Sequence, residues 1–241
     1  MTSIYIHIPF CSRICSYCDF PKKISKSQEI DTYLDCLYEE IKMYDVKDGV
    51  KTLYLGGGTP SILSTEQFKK LKKIISLFKL DASYEFTIEC NPEHVTEEKV
   101  VMLKELGINR VSLGVQTFND ELLKILNRGH NKDTVYQAVD ILRKKGIDNI
   151  NLDLIFAIPN QTMKGVINDL KHIHKLNIPH ISYYSFILED KTVLHYLYQQ
   201  NKLELVDNDI EAKMYLKVIK TLKKFYYMHY EISNFAQPGY S

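Results

Sequence analysis

The chain has 241 residues, enough to bury a real core in one large domain or two modest ones. Hydrophobic residues make up 45% and charged residues 25%, the balance of a soluble globular protein. A net charge of +1 gives no electrostatic footprint for nucleic acid or an anionic membrane, and no run of about 18 apolar residues offers a spanning helix.

The N-terminus, MTSIYIHIPF, lacks the basic start and long apolar stretch of a signal peptide and reads as a strand over 4–10. Five cysteines without a secretion signal read as reduced thiols in the cytoplasm. Ile30, Leu34, Leu37 and Ile41 then form one helical stripe. The strand KTLYLGG (51–57) precedes a helix that opens on a capping box, Ser64 with Gln67, and carries Phe68, Leu71, Ile75 and Phe78. YEFTIEC (84–90) is the third strand, Thr96 caps the next helix, and Gly107 ends it as a C′ residue. RVSLGVQ (110–116), a helix ended by Gly146, NINLDLIF (149–156) and HISYYSF (180–186) continue the rhythm. Such alternation predicts parallel strands joined by right-handed crossovers. Six units are fewer than the eight of a closed barrel, so the expected fold is α/β, a partial (β/α)6 TIM-like barrel of parallel strands with surrounding helices. Its core is placed at 1–187, and 188–241 is read as the start of a C-terminal extension.

Fully buried parallel strands read apolar on both faces. These do not. Tyr5 and His7, Glu85, Thr87 and Glu89, Ser112, Gly114 and Gln116, and Asn151 and Asp153 alternate with apolar neighbours. Side chains alternate across a strand, so one face can pack on helices while the other is polar or small. A barrel with a polar ligand in its lumen wants such a face; alternatively, the polar groups bond one another or water.

The chemistry-bearing residues fall at the C-terminal strand ends, where parallel barrels keep their sites. Cys11 follows the first strand, GGGTP (56–60) the second, Glu89 ends the third and Gln116 the fourth. Cys11, Cys15 and Cys18 are spaced C-x3-C-x2-C, and thiolates at such spacing suit zinc or iron–sulfur. Zinc would need a fourth ligand, His7 or His130, and there is no second CxxC pair. A four-iron cubane on three cysteines leaves one iron open to another ligand. Cys36 and Cys90 read as inert small hydrophobes, and His7 as packing or support.

This spacing, with Tyr17 just before the last cysteine, resembles the radical S-adenosylmethionine superfamily. YIHIPFC…CSYCDF, YLGGGTPS, IECNPE, RVSLGVQTF, NRGH, NLDLIFAIP and YEISNFAQPGY together resemble its coproporphyrinogen III oxidase-like family, from about Ile4 to the end of the chain. The resemblance implies a six-unit partial barrel and a [4Fe-4S] cluster on Cys11, Cys15 and Cys18, whose open iron chelates S-adenosylmethionine. There an electron splits the sulfonium to methionine and a 5′-deoxyadenosyl radical. Tyr5 is implied near the cofactor, Gly57, Gly58 and Thr59 in the loop meeting its amino end, and Glu89 and Arg128 against its charged parts. Gln116 and Asp153 are implied around the ribose, and Tyr17 beside the adenine. Read without the resemblance, GGGTP is a tight turn, Glu89 a capping or surface acid, and Gln116 and Asp153 mutually satisfied polar groups. Arg128 is then a solvated charge at a helix end, and Tyr5 plain packing.

The family divides into HemN oxidases and HemW heme chaperones, and departures from the pattern choose between them. The oxidases carry a further cysteine two residues after the third; here Phe20 stands there, and Cys11 leaves no room for their N-terminal extension. The resemblance therefore points to the chaperone branch, with oxygen-independent coproporphyrinogen III oxidation as the alternative. The branch's heme-binding histidine lies in an HNxxYW motif beyond Ser241, so the chain reads as a truncated product. Phe156-Ala157-Ile158 replaces a frequent Tyr-Gly-Leu, and the same turn is expected. The implied partners are S-adenosylmethionine, heme and heme-acceptor proteins for the full-length protein, and a reductant such as flavodoxin or ferredoxin. The reading leaves room for a dimer and a peripheral membrane contact.

Overall fold

Eight strands form one sheet in the order β1-β2-β3-β4-β5-β6-β8-β7. The structure is a computed structural model that describes residues 2–44, 46 and 49–241. In chain order the elements are β1 (Thr2–Ile8), α1 (Ser27–Lys42), β2 (Val50–Gly57), α2 (Thr65–Ile75), β3 (Leu80–Cys90) and α3 (Glu97–Glu105). They continue as β4 (Arg110–Gln116), α4 (Asp120–Ile125), α5 (Lys132–Lys144), β5 (Asn149–Phe156), α6 (Met163–Leu176) and β6 (His180–Ser185). Residues after 187 add α7 (Val193–Gln199), α8 (Asn208–Lys224), β7 (Met228–Glu231) and β8 (Asn234–Ala236). Strands β1 to β6 pair in parallel, and β8 adds to β6 antiparallel. β1 and β7 are the two ends of the sheet, so the barrel is open, as six units predict.

Local chemistry sets the element boundaries. Pro9 has no N–H to give a ladder, and β1 stops at Ile8 rather than reaching Phe10 as the sequence pattern predicts. The capping box at α2 forms: Gln67 N donates to Ser64 Oγ at 3.3 Å, and Ser64 N to Gln67 Oε1 at 3.0 Å. Thr96 Oγ1 accepts from Lys99 N at 3.2 Å. Gly107 and Gly146 take φ of 93° and 79°, the left-handed cap expected of them. Ala157 enters the same region at φ 59°, where a glycine would sit without the roughly 1 kcal/mol that a Cβ adds.

The two faces of the sheet separate as the alternation predicts. Leu53, Leu55, Phe86, Ile88, Val111, Leu113, Leu152 and Leu154 are buried in one core cluster with Leu34, Leu71, Val100, Leu142 and Leu170 from the helices. The other face carries rows of polar partners in register: Glu89 beside Ser112, Ser112 beside Asn151, and Asp153 beside Ser182. Among the described residues no helix is long and apolar enough to cross a membrane.

Candidate metal and cofactor centre

The cysteine loop between β1 and α1 is tied down at both ends. Lys23 N donates to Pro9 O at 2.8 Å, and Cys11 N to Lys23 O at 3.0 Å, which closes the loop on itself. Its far side is pinned to the end of α4 and the turn behind it. Ser16 Oγ donates to Ile125 O at 2.5 Å, Asn127 Nδ2 to Ile14 O at 2.8 Å, and Arg13 Nη1 to Arg128 O at 3.2 Å. His7 supports the exit: its Nε2–H donates to Pro21 O at 3.0 Å, leaving Nδ1 to accept from Tyr5 Oη at 3.0 Å. Of the candidate fourth ligands of a zinc site, His7 has both ring nitrogens bonded elsewhere, and His130 has Nε2 3.1 Å from Val115 O and Nδ1 3.4 Å from Glu93 Oε2. Among the described residues no three His, Cys, Asp or Glu side chains converge on a single ion. A larger occupant that spreads its thiolates fits the three cysteines better than one metal ion does.

Cys11, Cys15 and Cys18 form one wall of a cavity of about 530 Å³ at the C-terminal ends of the strands. Each thiol has a polar neighbour. Thr59 Oγ1 donates to Cys11 Sγ at 3.5 Å, Arg128 Nη1 to Cys15 Sγ at 3.4 Å, and the Lys22 ammonium holds Cys18 O at 2.5 Å. Burial pushes the Cys11 and Cys18 thiols up, so in the unliganded chain they hold their protons more tightly than a free thiol does. A bound metal displaces those protons.

The glycine loop after β2 forms the next wall. Gly58 N donates to Ile8 O at 2.9 Å and Thr59 N to Phe10 O at 2.8 Å, so the loop lies against the start of the cysteine loop. A Cβ on Gly58 would stand 2.6 Å from Phe10 O and 2.8 Å from Ile8 O, both backbone atoms. Gly57 takes φ 111°, and a Cβ there would overlap the His7 ring. Gly58→Ala is expected to cost about 2 kcal/mol by overpacking. For a chain of this size that lowers the melting temperature by about 4–8 °C in a thermal unfolding scan; an unchanged midpoint would show that the loop can yield.

The opposite floor is acidic. Glu89 accepts from Tyr54 Oη at 2.9 Å and from Gly57 N at 3.0 Å. Burial first, and then the neighbouring Asp153, raise its carboxyl to about 7. Asp153 accepts from Ser112 Oγ at 2.8 Å and from Asn151 Nδ2 at 2.7 Å, and burial raises it too. Gln116 ends β4 with φ 65°, a strained choice for a residue with a side chain. Asp169 on α6 stabilises the backbone just beyond it, accepting from Phe118 N at 2.8 Å and Thr117 Oγ1 at 2.9 Å. Among the described residues, Arg128 Nε is buried with no hydrogen-bond partner.

This site makes the cofactor question testable. Three thiols on one wall, two half-buried acids on another and an unpartnered guanidinium donor match a thiolate-held cluster beside a small zwitterion. The radical SAM superfamily model matches residues 5–173. The chain belongs to the radical SAM superfamily. The radical SAM region thus spans β1 to α6, the elements that build the cavity walls described above.

Relatives agree on the wider family. The chain is 44% identical to the heme chaperone HemW of Lactococcus lactis over 99% of its own length, and 43% identical to that of Bacillus subtilis. It spans 63% and 64% of those two proteins, slightly under two thirds of each. Among solved structures, the radical SAM enzyme coproporphyrinogen III oxidase (HemN) of Escherichia coli superposes with a TM-score of 0.88 at 28% identity. That match covers 98% of this chain and 56% of HemN.

Of the site residues expected from sequence, Tyr17, Gly57, Gly58, Thr59, Glu89, Gln116, Arg128 and Asp153 line the cavity with the three cysteines. Tyr5 does not. It is 57% exposed on the edge strand, and its ring stacks on Tyr54 with centroids 5.9 Å apart, so it meets the cavity only through Tyr54. Tyr17 packs against the satellite core of Leu122, Leu126 and Ile155. Phe20 is 68% exposed at the cavity rim. Cys90 is buried, its thiol pushed up to about 12 by burial, as an inert cysteine requires, whereas Cys36 is exposed on α1. Sequence reasoning missed Tyr54, Lys22, Asn91 and Asp169. Tyr54 had a signal, since it shares the polar strand face with Glu89.

Proposed function

We propose that this chain is the cluster- and S-adenosylmethionine-binding part of a heme chaperone of the HemW type. The 44% identity to the Lactococcus lactis heme chaperone over 99% of the chain carries this reading. In it, Cys11, Cys15 and Cys18 hold a [4Fe-4S] cluster, which when bound supplies one electron to the cofactor's sulfonium. The other residues bind and orient. Glu89, aligned by Tyr54 Oη and Gly57 N, takes the ammonium. Arg128 takes the carboxylate, and Gln116 and Asp153 take the ribose hydroxyls. Tyr17, packed on Leu122, Leu126 and Ile155, lies beside the adenine. The reading requires a flavodoxin- or ferredoxin-type reductant and, in the full-length protein, heme and an acceptor protein for it, in the cytoplasm.

A second reading is oxygen-independent coproporphyrinogen III oxidation, favoured by the TM-score of 0.88 to the Escherichia coli oxidase. Phe20 speaks against it, because the oxidases carry a further cysteine at that position. The test uses the full-length protein, reconstituted anaerobically with iron and sulfide and reduced. The chaperone reading expects about four irons per chain, 5′-deoxyadenosine formed from S-adenosylmethionine, stoichiometric heme binding, and no loss of coproporphyrinogen. Decarboxylation of coproporphyrinogen at enzymatic rates would reverse the ranking.

A further inference from the structure

Arg128 joins the two halves of the cavity. It lies on the turn after α4, the same turn that pins the cysteine loop. Its guanidinium is held as a fork: Nη2 donates to Asn91 Oδ1 at 2.7 Å and to Gly114 O at 2.6 Å, while Nη1 donates to Cys15 Sγ at 3.4 Å. Gly114 leaves the room for this, since a Cβ there would stand 2.9 Å from Nη2. The main chain of Arg128 is clamped as well, its carbonyl accepting from Arg13 Nη1. The side chain therefore cannot swing away from Cys15 without abandoning two short bonds. Nε remains buried and unpartnered.

The other two thiols have weaker partners. Cys11 receives a neutral hydroxyl from Thr59, and the Lys22 ammonium holds the Cys18 carbonyl while acting on its sulfur as well. Among the described residues, Cys15 alone of the three receives a guanidinium N–H, from a side chain fixed by two further bonds. Charge-assisted bonds are about twice as strong as neutral ones, and hydrogen bonds to ligand sulfurs are one of the levers on a cluster's potential.

We propose that Arg128 is a positioning residue that tunes the cluster: its Nη1–H···Sγ bond to Cys15 stabilises the reduced state and couples it to occupancy of the adjoining cofactor pocket. This rests on the cluster reading above. One electron entering a cluster on three thiolates adds one negative charge to it, and a fixed cation beside a ligand sulfur attracts that charge. The same guanidinium keeps its Nε–H without a protein partner, in a side chain that lines the cofactor pocket. An anionic group that binds there draws on the positive charge, so binding and reduction are linked through one side chain.

The experiment is a mediated dithionite titration of the reconstituted full-length protein, followed by the spectrum of the reduced cluster. It compares wild type, Arg128→Gln, Arg128→Lys and, as a surface-charge control, Lys69→Gln on the exposed face of α2. At equal iron content, Arg128→Gln should shift the one-electron equilibrium at least tenfold toward the oxidised cluster, a potential lower by 59 mV or more. Arg128→Lys keeps the charge but loses the planar fork, and should fall between, at least threefold from wild type. Lys69→Gln should move the equilibrium less than threefold. Adding S-adenosylmethionine should move the wild-type potential more than that of Arg128→Gln. If Arg128→Gln takes up no cluster, the lysine variant decides by the same criterion. A glutamine or lysine variant within threefold of wild type, with full iron, overturns the proposal and leaves the cluster reading standing. Wild-type protein that takes up no four-iron cluster sinks both.

Discussion

Cys15→Ser is expected to take the iron content of the reconstituted protein from about four per chain to near zero, with loss of the brown absorbance and little change in folding. The three cysteines lie on one loop, but they do not contribute equally to the fold. Cys11 is buried beneath Thr59, whereas Cys15 is half-buried. The bonds that shape the loop come from its backbone and from Ser16, Asn127 and Arg13, none of which involves the Cys15 side chain. Serine leaves those bonds intact, so the change in stability should stay within about 1 kcal/mol, as for a site away from core packing. Losing one of three thiolates is a different matter, because hydroxyls do not ligate iron–sulfur clusters with comparable strength and no nearby side chain can substitute. Cys36→Ser on the exposed face of α1 is the matched control and should retain full iron. Iron retained at wild-type level in Cys15→Ser would show that the ligand set is wrong.

The reading of the barrel from sequence worked where the physics is local. β4 and β5 appear over the predicted residues, because Val111, Leu113, Val115, Ile150, Leu152 and Leu154 alternate cleanly with polar partners. The same alternation placed Glu89, Gln116 and Asp153 on the cavity side. Elements fixed by distant contacts were not legible. β7 is exposed along its whole length, and the β7–β8 hairpin turns through Ile232 and Ser233, without the Asn-Gly signal of a tight turn. The first residues of β3, Leu80 to Ser83, are mostly exposed and join the sheet through an irregularity opposite Val50. Asp169 carries no local signal, because its partners Thr117 and Phe118 lie about fifty residues back in the chain. Tyr5 shows the reverse case. Its place on the polar face of β1 was legible, but β1 is the free edge of an open sheet, so that position looks partly onto solvent.

Affinity for S-adenosylmethionine is expected to rise roughly tenfold between pH 5.5 and 7, and Glu89→Gln should abolish that slope. Glu89 is the acid that the proposed reading sets against the cofactor's ammonium. Burial and the nearby Asp153 raise it from 4.5 to about 7. Below that value Glu89 is protonated and has no charge to offer, so binding a cation requires it to lose a proton first. As pH climbs through the window, the ionised fraction grows and the affinity climbs with it. An α-amino group keeps its proton over most of this range, so the slope belongs to the protein. The sign for stability is opposite. A carboxyl whose folded value is raised contributes stability at low pH that is lost as pH rises from about 4.5 through about 7, here roughly 3 kcal/mol. Empty protein should thus become less stable over the very interval in which it binds cofactor better, and the cofactor's ammonium replaces the lost proton. Glu89→Gln keeps an acceptor for Tyr54 Oη but removes the charge, so its binding should be at least tenfold weaker at pH 7 and flat across the window. Asp169 is also raised to about 7 by burial, but it lies outside the cavity, and the glutamine variant leaves its contribution to stability in place. Equilibrium binding at several pH values on the reconstituted full-length protein decides the matter. A Glu89→Gln protein that keeps the wild-type slope would move the ammonium contact to Asp153, the other acid on the cavity floor.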